Sequence, residues 1–190
     1  VLAYIDDFLI FTKSPSFDEH LRTFGEFLAR MRRAGITLNP AKTVIGKQQV
    51  EFLGFMVSGK GVGVSPSRVQ SINDAQPCKS KQQIRSFLGM AQFVSRFIPG
   101  YAEISEPLTR LLKKQATFEW NEEQQTAMDK IKQLLTKAPI LASPKFGQPF
   151  EIFTDASIHA MGAVLLQRQF DEDSGKVVLH PVAYASKKFS

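Results

Sequence analysis

The stretch Val1-Leu2-Ala3-Tyr4-Ile5-Asp6-Asp7-Phe8-Leu9-Ile10-Phe11 sets two adjacent carboxylates between two short apolar runs. Carboxylates are costly to hold among apolar side chains unless a cation meets them. In a straight strand the two would point to opposite faces. A tight turn through Ile5-Asp6-Asp7 brings both to one edge of a hairpin spanning residues 1–12. Paired hard oxygen ligands suit magnesium, which keeps company with phosphates. The pair therefore reads as half of a two-metal phosphoryl-transfer site. The competing reading is a solvated turn, because Asp favours turns through local hydrogen bonds. A β-branched Ile5 at the tip is expected to be strained, since such residues avoid positive φ.

The whole chain narrows the choice. Its 190 residues allow one large or two small domains, and 43% of them are hydrophobic, close to the globular norm. A formal charge of +6 and a pI of about 9.5 favour a polyanionic partner such as nucleic acid over an ordinary basic surface. Cys78 is the only cysteine, which excludes a disulfide framework and a Cys-based zinc site within the chain. No apolar run is long enough to span a membrane. The sequence starts inside an apolar run and stops without a cap, so it reads as a piece of a longer polypeptide.

Along the chain, Ser14-Pro15-Ser16 breaks the hairpin pattern, and Ser16 or Asp18 can cap a helix. That helix carries Leu21, Phe24, Leu28 and Met31 as one apolar stripe and ends at Gly35. Thr43-Val44-Ile45 reads as a short strand, Gly46-Lys47 as a turn, and Val50 to Val57 as a returning strand. Gly54, inside that strand, marks either a close backbone approach or a bulge. Gly59, Gly61 and Gly63 read as a loose loop. Ser65-Pro66 opens a short helix that Pro77 ends.

Residues 80–114 read as a two-helix unit. Ser80 with Gln83 fits a capping box. Ile84, Phe87, Leu88 and Ala91 make one apolar face; Ile104, Leu108, Leu111 and Leu112 make the other, with Pro99-Gly100 as the turn. Residues 78–115 carry Lys79, Lys81, Arg85, Arg96, Arg110, Lys113 and Lys114 against Glu103 and Glu106, a net +5. A small basic helical unit beside a metal site suits a phosphate backbone, and its plain alternative is a solvated helical hairpin. Asn121 caps a further helix that stops before Pro139. Three strands follow: Pro149 to Thr154 ending in Asp155, Ala160 to Gln167, and, after an acidic turn at 171–175, Val177 to Ser186 broken by Pro181. Asp155 reads as a metal ligand at a strand end or as a plain turn residue. His159 and His180 read as surface or packing residues.

The ordered set of motifs resembles a known family. Tyr4-Ile5-Asp6-Asp7, Leu38-Asn39-Pro40, Glu51-Phe52-Leu53-Gly54, Arg85-Ser86-Phe87-Leu88-Gly89, Arg96-Phe97-Ile98-Pro99, Pro107-Leu108-Thr109, Phe118-Glu119-Trp120, Phe153-Thr154-Asp155-Ala156-Ser157 and His180-Pro181-Val182-Ala183-Tyr184-Ala185-Ser186 follow one another as in the Pol polyprotein of Ty3/gypsy-type LTR retrotransposons. The resemblance implies an α+β architecture. Residues 1–60 would be the C-terminal part of a reverse transcriptase palm, 66–115 a helical thumb, and 118–190 the start of an RNase H-like domain. It implies Asp6, Asp7 and Asp155 as catalytic, metal-binding carboxylates, with Asp6 preferred over Asp7 as the constant ligand. It implies Phe52, Leu53 and Gly54 as a primer grip, and Tyr4, Ile5, Lys81 and Arg85 as further nucleic-acid contacts. Phe55 stands where many relatives carry His.

The same resemblance implies RNA-directed DNA polymerase chemistry with a linked RNase H. The cofactor would be Mg2+, with Mn2+ as a substitute. The partners would be an RNA template, a DNA primer, an RNA/DNA hybrid and a dNTP, with no membrane. The place would be intracellular, in a cytoplasmic particle or the nucleus. A third palm aspartate is expected before Val1 and further RNase H acids after Ser190, so the isolated chain is expected to be inactive. The main alternative is a non-catalytic, nucleic-acid-binding or connection-type remnant of a decayed element. An unrelated two-metal phosphatase is a third reading, and it leaves the basic helical unit unexplained.

Overall fold

The computed structural model describes residues 1–14, 16–171 and 174–189. The chain is α+β and divides into two compact units, Val1–Phe52 and Leu53–Ser190. Pro15 of the expected break and part of the expected acidic turn lie outside the described residues.

The first unit opens with an antiparallel hairpin of β1 (Leu2–Tyr4) and β2 (Asp7–Leu9), in register Leu2↔Leu9, Ala3↔Phe8 and Tyr4↔Asp7. Helix α1 (Phe17–Arg33) follows, with the Ser16 hydroxyl accepting from the Glu19 N–H at 3.4 Å. Asp18 and Glu19 in its first turn and Arg30, Arg32 and Arg33 in its last complement the helix dipole. Gly35, at φ 69°, ends it. The Ile36 N–H reaches the Met31 carbonyl and the Gly35 N–H the Arg32 carbonyl, the paired bonds of a Schellman motif.

The buried residue of α1 is Phe27, whose ring lies 5.2 Å from that of Phe8 in β2. The expected stripe is therefore rotated, and Leu21 and Leu28 remain 42% and 40% exposed. Thr43-Val44-Ile45 forms no strand. Asn39 instead caps a 3-10 turn at Pro40–Lys42, its side chain accepting from the Ala41 N–H at 3.0 Å. Proline has its own φ fixed for such a turn. Strand β3 (Gln49–Phe52) closes the unit.

The second unit begins with the hairpin of β4 (Phe55–Ser58) and β5 (Gly61–Val64). The glycine-rich segment expected as a loop is thus partly strand. Gly61 is there for close approach: its φ is 141°, and a Cβ would run into the Leu141 carbonyl. The neighbouring Val62 exchanges both backbone hydrogen bonds with Leu141, at 2.9 and 2.8 Å.

Helices α2 (Pro66–Asn73), α3 (Lys81–Phe93), α4 (Tyr101–Ile104), α5 (Glu106–Leu111) and α6 (Glu122–Thr136) then build one apolar core. Ile72, Ile84, Phe97, Leu108, Met128 and Ile131 are fully buried in it. The second face of the expected two-helix unit is split into α4 and α5, divided at Ser105 just before Pro107. The Ser80 hydroxyl caps α3 as expected, but Gln83 reaches back to the Lys79 N–H, at 2.6 Å, rather than to Ser80. Asn121 and Gln124 form a full capping box on α6.

The last element is an antiparallel sheet in the order β6 (Glu151–Ala156), β7 (Ala160–Asp171), β8 (Lys176–Lys188). Pro181 does not break β8. The register slips between Leu165 and Leu166, which face Ala183 and Pro181, so Val182 is the extra residue of a bulge. A bulge is where a strand tolerates proline. The sheet is tied to the helices by the Ala102 N–H donating to the Ser186 hydroxyl at 2.9 Å and by a Lys188–Glu106 ion pair at 2.6 Å.

Candidate nucleic-acid and metal site

The β1–β2 hairpin turns through two residues, Ile5 and Asp6, with Tyr4 paired across from Asp7. Ile5 has φ 52° and is 81% exposed. A β-branched residue in this region is a backbone outlier and stores strain. It is one of two non-glycine residues with positive φ among those described; the other is Leu53. The hairpin brings Asp6 and Asp7 to one end, both exposed. Among the described residues no cationic side chain pairs with either.

The donor set tests the fit of a divalent metal. Two exposed carboxylates at one end of a hairpin are hard oxygen ligands of the kind magnesium takes. Among the described residues no three Asp, Glu, His or Cys side chains gather into one group. The pair thus fits such an ion in chemistry and supplies two of the ligands a full site needs. Asp155, in the second unit, is exposed on β6 opposite Gly162. It lines a cavity of about 280 Å³ that also touches Gly100 and Glu103 of the helical part and Tyr184 and Ser186 of β8. Burial pushes the Tyr184 hydroxyl pKa up.

The second turn lies at Leu53-Gly54, with φ 52° and 79°. Two positive φ values in sequence are the pattern of a type I′ turn, so Gly54 sits in neither a strand interior nor a bulge. Phe52 ends β3, half-buried. Phe55, the first residue of β4, does not point to solvent. It stacks on Phe93 at 4.9 Å between ring centroids and 16° between planes, and meets Phe97 at 5.9 Å. The Arg68 guanidinium of α2 also lies over the Phe93 ring, 4.1 Å from its centroid.

The two basic candidates on α3 differ. Lys81 donates to the Lys113 carbonyl at 3.2 Å and to the Ala116 carbonyl at 2.6 Å, so its ammonium fastens the turn that follows α5. Arg85 is exposed. Lys132 acts as Lys81 does, donating to the Asn73 and Ala75 carbonyls at 3.0 and 2.5 Å at the end of α2. Reading the sequence missed Arg68, Phe93 and Lys132. Each matters through partners that sequence spacing does not reveal. The one available signal was Gly54, which asks what lies close to it.

Comparison with known proteins adds a frame. Residues 1–57 match the family model described as reverse transcriptase (RNA-dependent DNA polymerase). Residues 120–190 match that of the RNase H-like domain found in reverse transcriptase. The whole chain is 34% identical to the transposon Tf2-3 polyprotein of Schizosaccharomyces pombe and 33% identical to its Tf2-7 polyprotein, and it spans 14% of the length of each. Its fold resembles a foamy viral protease-reverse transcriptase in complex with an RNA/DNA hybrid. There the TM-score is 0.79 and the identity 23%, over 94% of this chain and 24% of that one. It also resembles a foamy viral protease-reverse transcriptase in complex with dsDNA. The TM-score is 0.75 and the identity 24%, over 90% of this chain and 35% of that one.

Proposed function

We propose that this chain is part of the reverse transcriptase and RNase H region of a retrotransposon Pol polyprotein of the Ty3/gypsy type, and that it serves RNA-directed DNA synthesis. The observation that carries the reading is the exposed, unpaired Asp6 and Asp7 at the end of a hairpin with a strained two-residue turn. A solvated turn needs neither the strain nor the apolar strands on both sides. The two family matches, in this order along the chain, support the same reading.

In this reading Asp6 and Asp7 hold Mg2+, or Mn2+ in its place. A metal held there would supply Lewis acidity toward a primer 3′-hydroxyl and the charge of a leaving pyrophosphate. The chain's own residues set the geometry. The strained Ile5 fixes where the two carboxylates point, and Tyr4, across from Asp7, flanks the site on β1. Phe52, Leu53 and Gly54 present a turn on which a primer end rests. Arg85, and the excess of basic charge around it, meets the backbone of the RNA/DNA hybrid through phosphate contacts. Asp155 is the corresponding carboxylate for RNA-strand cleavage. The RNA template, DNA primer and dNTP are the partners of the larger enzyme, and its place is within the cell, in a cytoplasmic particle or the nucleus. Among the described residues no helix is long and apolar enough to cross a membrane.

The test is primer extension on an RNA template by the polymerase that contains this segment. Asp6→Asn should reduce extension to background while the variant still binds the hybrid. Undiminished extension would overturn the reading.

A further inference from the structure

Gly54 is bracketed by α2. Its carbonyl accepts a long hydrogen bond, 3.4 Å, from the Ser65 N–H at the start of that helix. A Cβ on Gly54 would lie 2.9 Å from Arg68 Nε, 3.0 Å from Cζ and closer still to Nη2. The guanidinium is therefore laid directly on the turn. Its other contact is the Phe93 ring of α3, 4.1 Å away. Phe93 in turn stacks on Phe55, the residue that follows Gly54. The order Gly54, Arg68, Phe93, Phe55 makes a closed circuit of contacts around one backbone turn.

Arg68 is half-buried, and its bonding is unusual. Its Nε–H is buried with no acceptor among the described residues. None of the ion pairs among those residues involves it. A buried donor left unmet is costly, so hydrogen bonding does not explain the placement. A planar cation that fits between an aromatic face and a glycine does explain it.

We propose that Arg68 is a positioning residue that pins the Leu53-Gly54 turn to α2 and α3. It rests on the reading of that turn as the seat of a primer end, and adds what holds the seat still. Gly54 has no side chain that could anchor the turn to a helix. The guanidinium wedge supplies that anchor, and the Phe55–Phe93 stack keeps the wedge from slipping.

The test uses the whole 190-residue chain and follows the Ser65 amide, whose N–H bonds to Gly54 and whose residue is fully buried. Arg68→Met keeps the apolar stem and removes the planar cation. It should speed Ser65 hydrogen exchange about tenfold or more while core amides of α3 and α6 keep their rates. Arg68→Lys should not restore the slow rate, because an ammonium cannot lie flat between ring and glycine. Should Arg68→Met fail to fold, Phe93→Leu removes the other side of the wedge and is expected to free Ser65 in the same way. Unchanged Ser65 exchange, acceleration of all amides together, or full rescue by Lys would each overturn the proposal. A parallel arm measures binding of a fluorescein-labelled RNA/DNA hybrid by anisotropy. Wild-type binding that Arg68→Met weakens supports the link to the primer seat. A wild-type chain that ignores the hybrid would count against the polymerase reading, while the Ser65 comparison still decides the pin.

Discussion

Ile5 and Leu53 share one φ, 52°, and each is the first residue of a two-residue turn, although the second residue of the turn also has positive φ only at Gly54. Neither residue is suited to it. Left-handed geometry costs a residue with a Cβ about 1–2 kcal/mol, and Asn tolerates it better than most. Ile5→Asn and Leu53→Asn are each expected to stabilise the chain by about 0.5–1 kcal/mol in urea unfolding. If the strain serves function, the same variants should impair primer extension in the enzyme that contains the segment. Destabilisation by Asn at both positions would show that the side chains contribute more than the backbone strain costs.

Lys81 and Arg85 occupy one helix and make opposite predictions. The Lys81 ammonium satisfies two carbonyls. Lys81→Met should lower stability by about 1–2 kcal/mol, the cost of leaving carbonyls unmet by a charged donor. Arg85→Gln removes an exposed charge, so stability should stay within about 0.5 kcal/mol. Its effect should appear in hybrid binding, with the salt dependence falling by about one unit of slope. Thermal melts and salt titrations of the two variants separate these outcomes.

The Glu106–Lys188 pair gives the second unit a pH dependence. The Lys188 hydrogen bond, ahead of the nearby charges of Lys188, Arg110 and Lys113, holds the Glu106 carboxyl below its usual pKa, with burial opposing. A depressed folded-state pKa means stability that is present above the unfolded glutamate range, about 4.3, and lost as pH falls through the folded value. Unfolding measured from pH 6 downward should therefore show an acid-sensitive component that Glu106→Gln removes. A pair this accessible is worth about 0.5–1 kcal/mol. An unchanged acid profile in Glu106→Gln would place the sensitivity elsewhere.

Local rules read well from the sequence where the partner is near in the chain. Ser16, Ser65, Ser80 and Asn121 cap helices because the hydrogen bond they make spans three residues. The Ile5 strain follows from a β-branched residue in a two-residue turn. Legibility fails where a distant partner decides. The buried face of α1 is set by Phe8, so Phe27 rather than Leu28 turns inward. Gly61 looked like loop composition until Leu141, eighty positions on, showed it to be a point of close approach. Thr43-Val44-Ile45 has strand propensity and no strand beside it, and Asn39-Pro40 imposes a turn first. At the candidate site, Asp6 and Asp7 were legible as a pair, but the use of Lys81 to fasten the turn after α5 was not.

Among the described residues strand β6 lies at the edge of its sheet, and two of its apolar side chains, Ile152 and Phe153, are 67% and 55% exposed. Such an edge is a template for sheet-to-sheet association between molecules. Asp155 is a charge in that strand, in the position of a gatekeeper against self-assembly. Its carboxylate therefore bears on solubility as well as on any chemistry. Replacing Asp155 with Asn to probe cleavage also strips the guard from an aggregation-prone edge, so loss of activity and loss of monomer must be measured on the same sample.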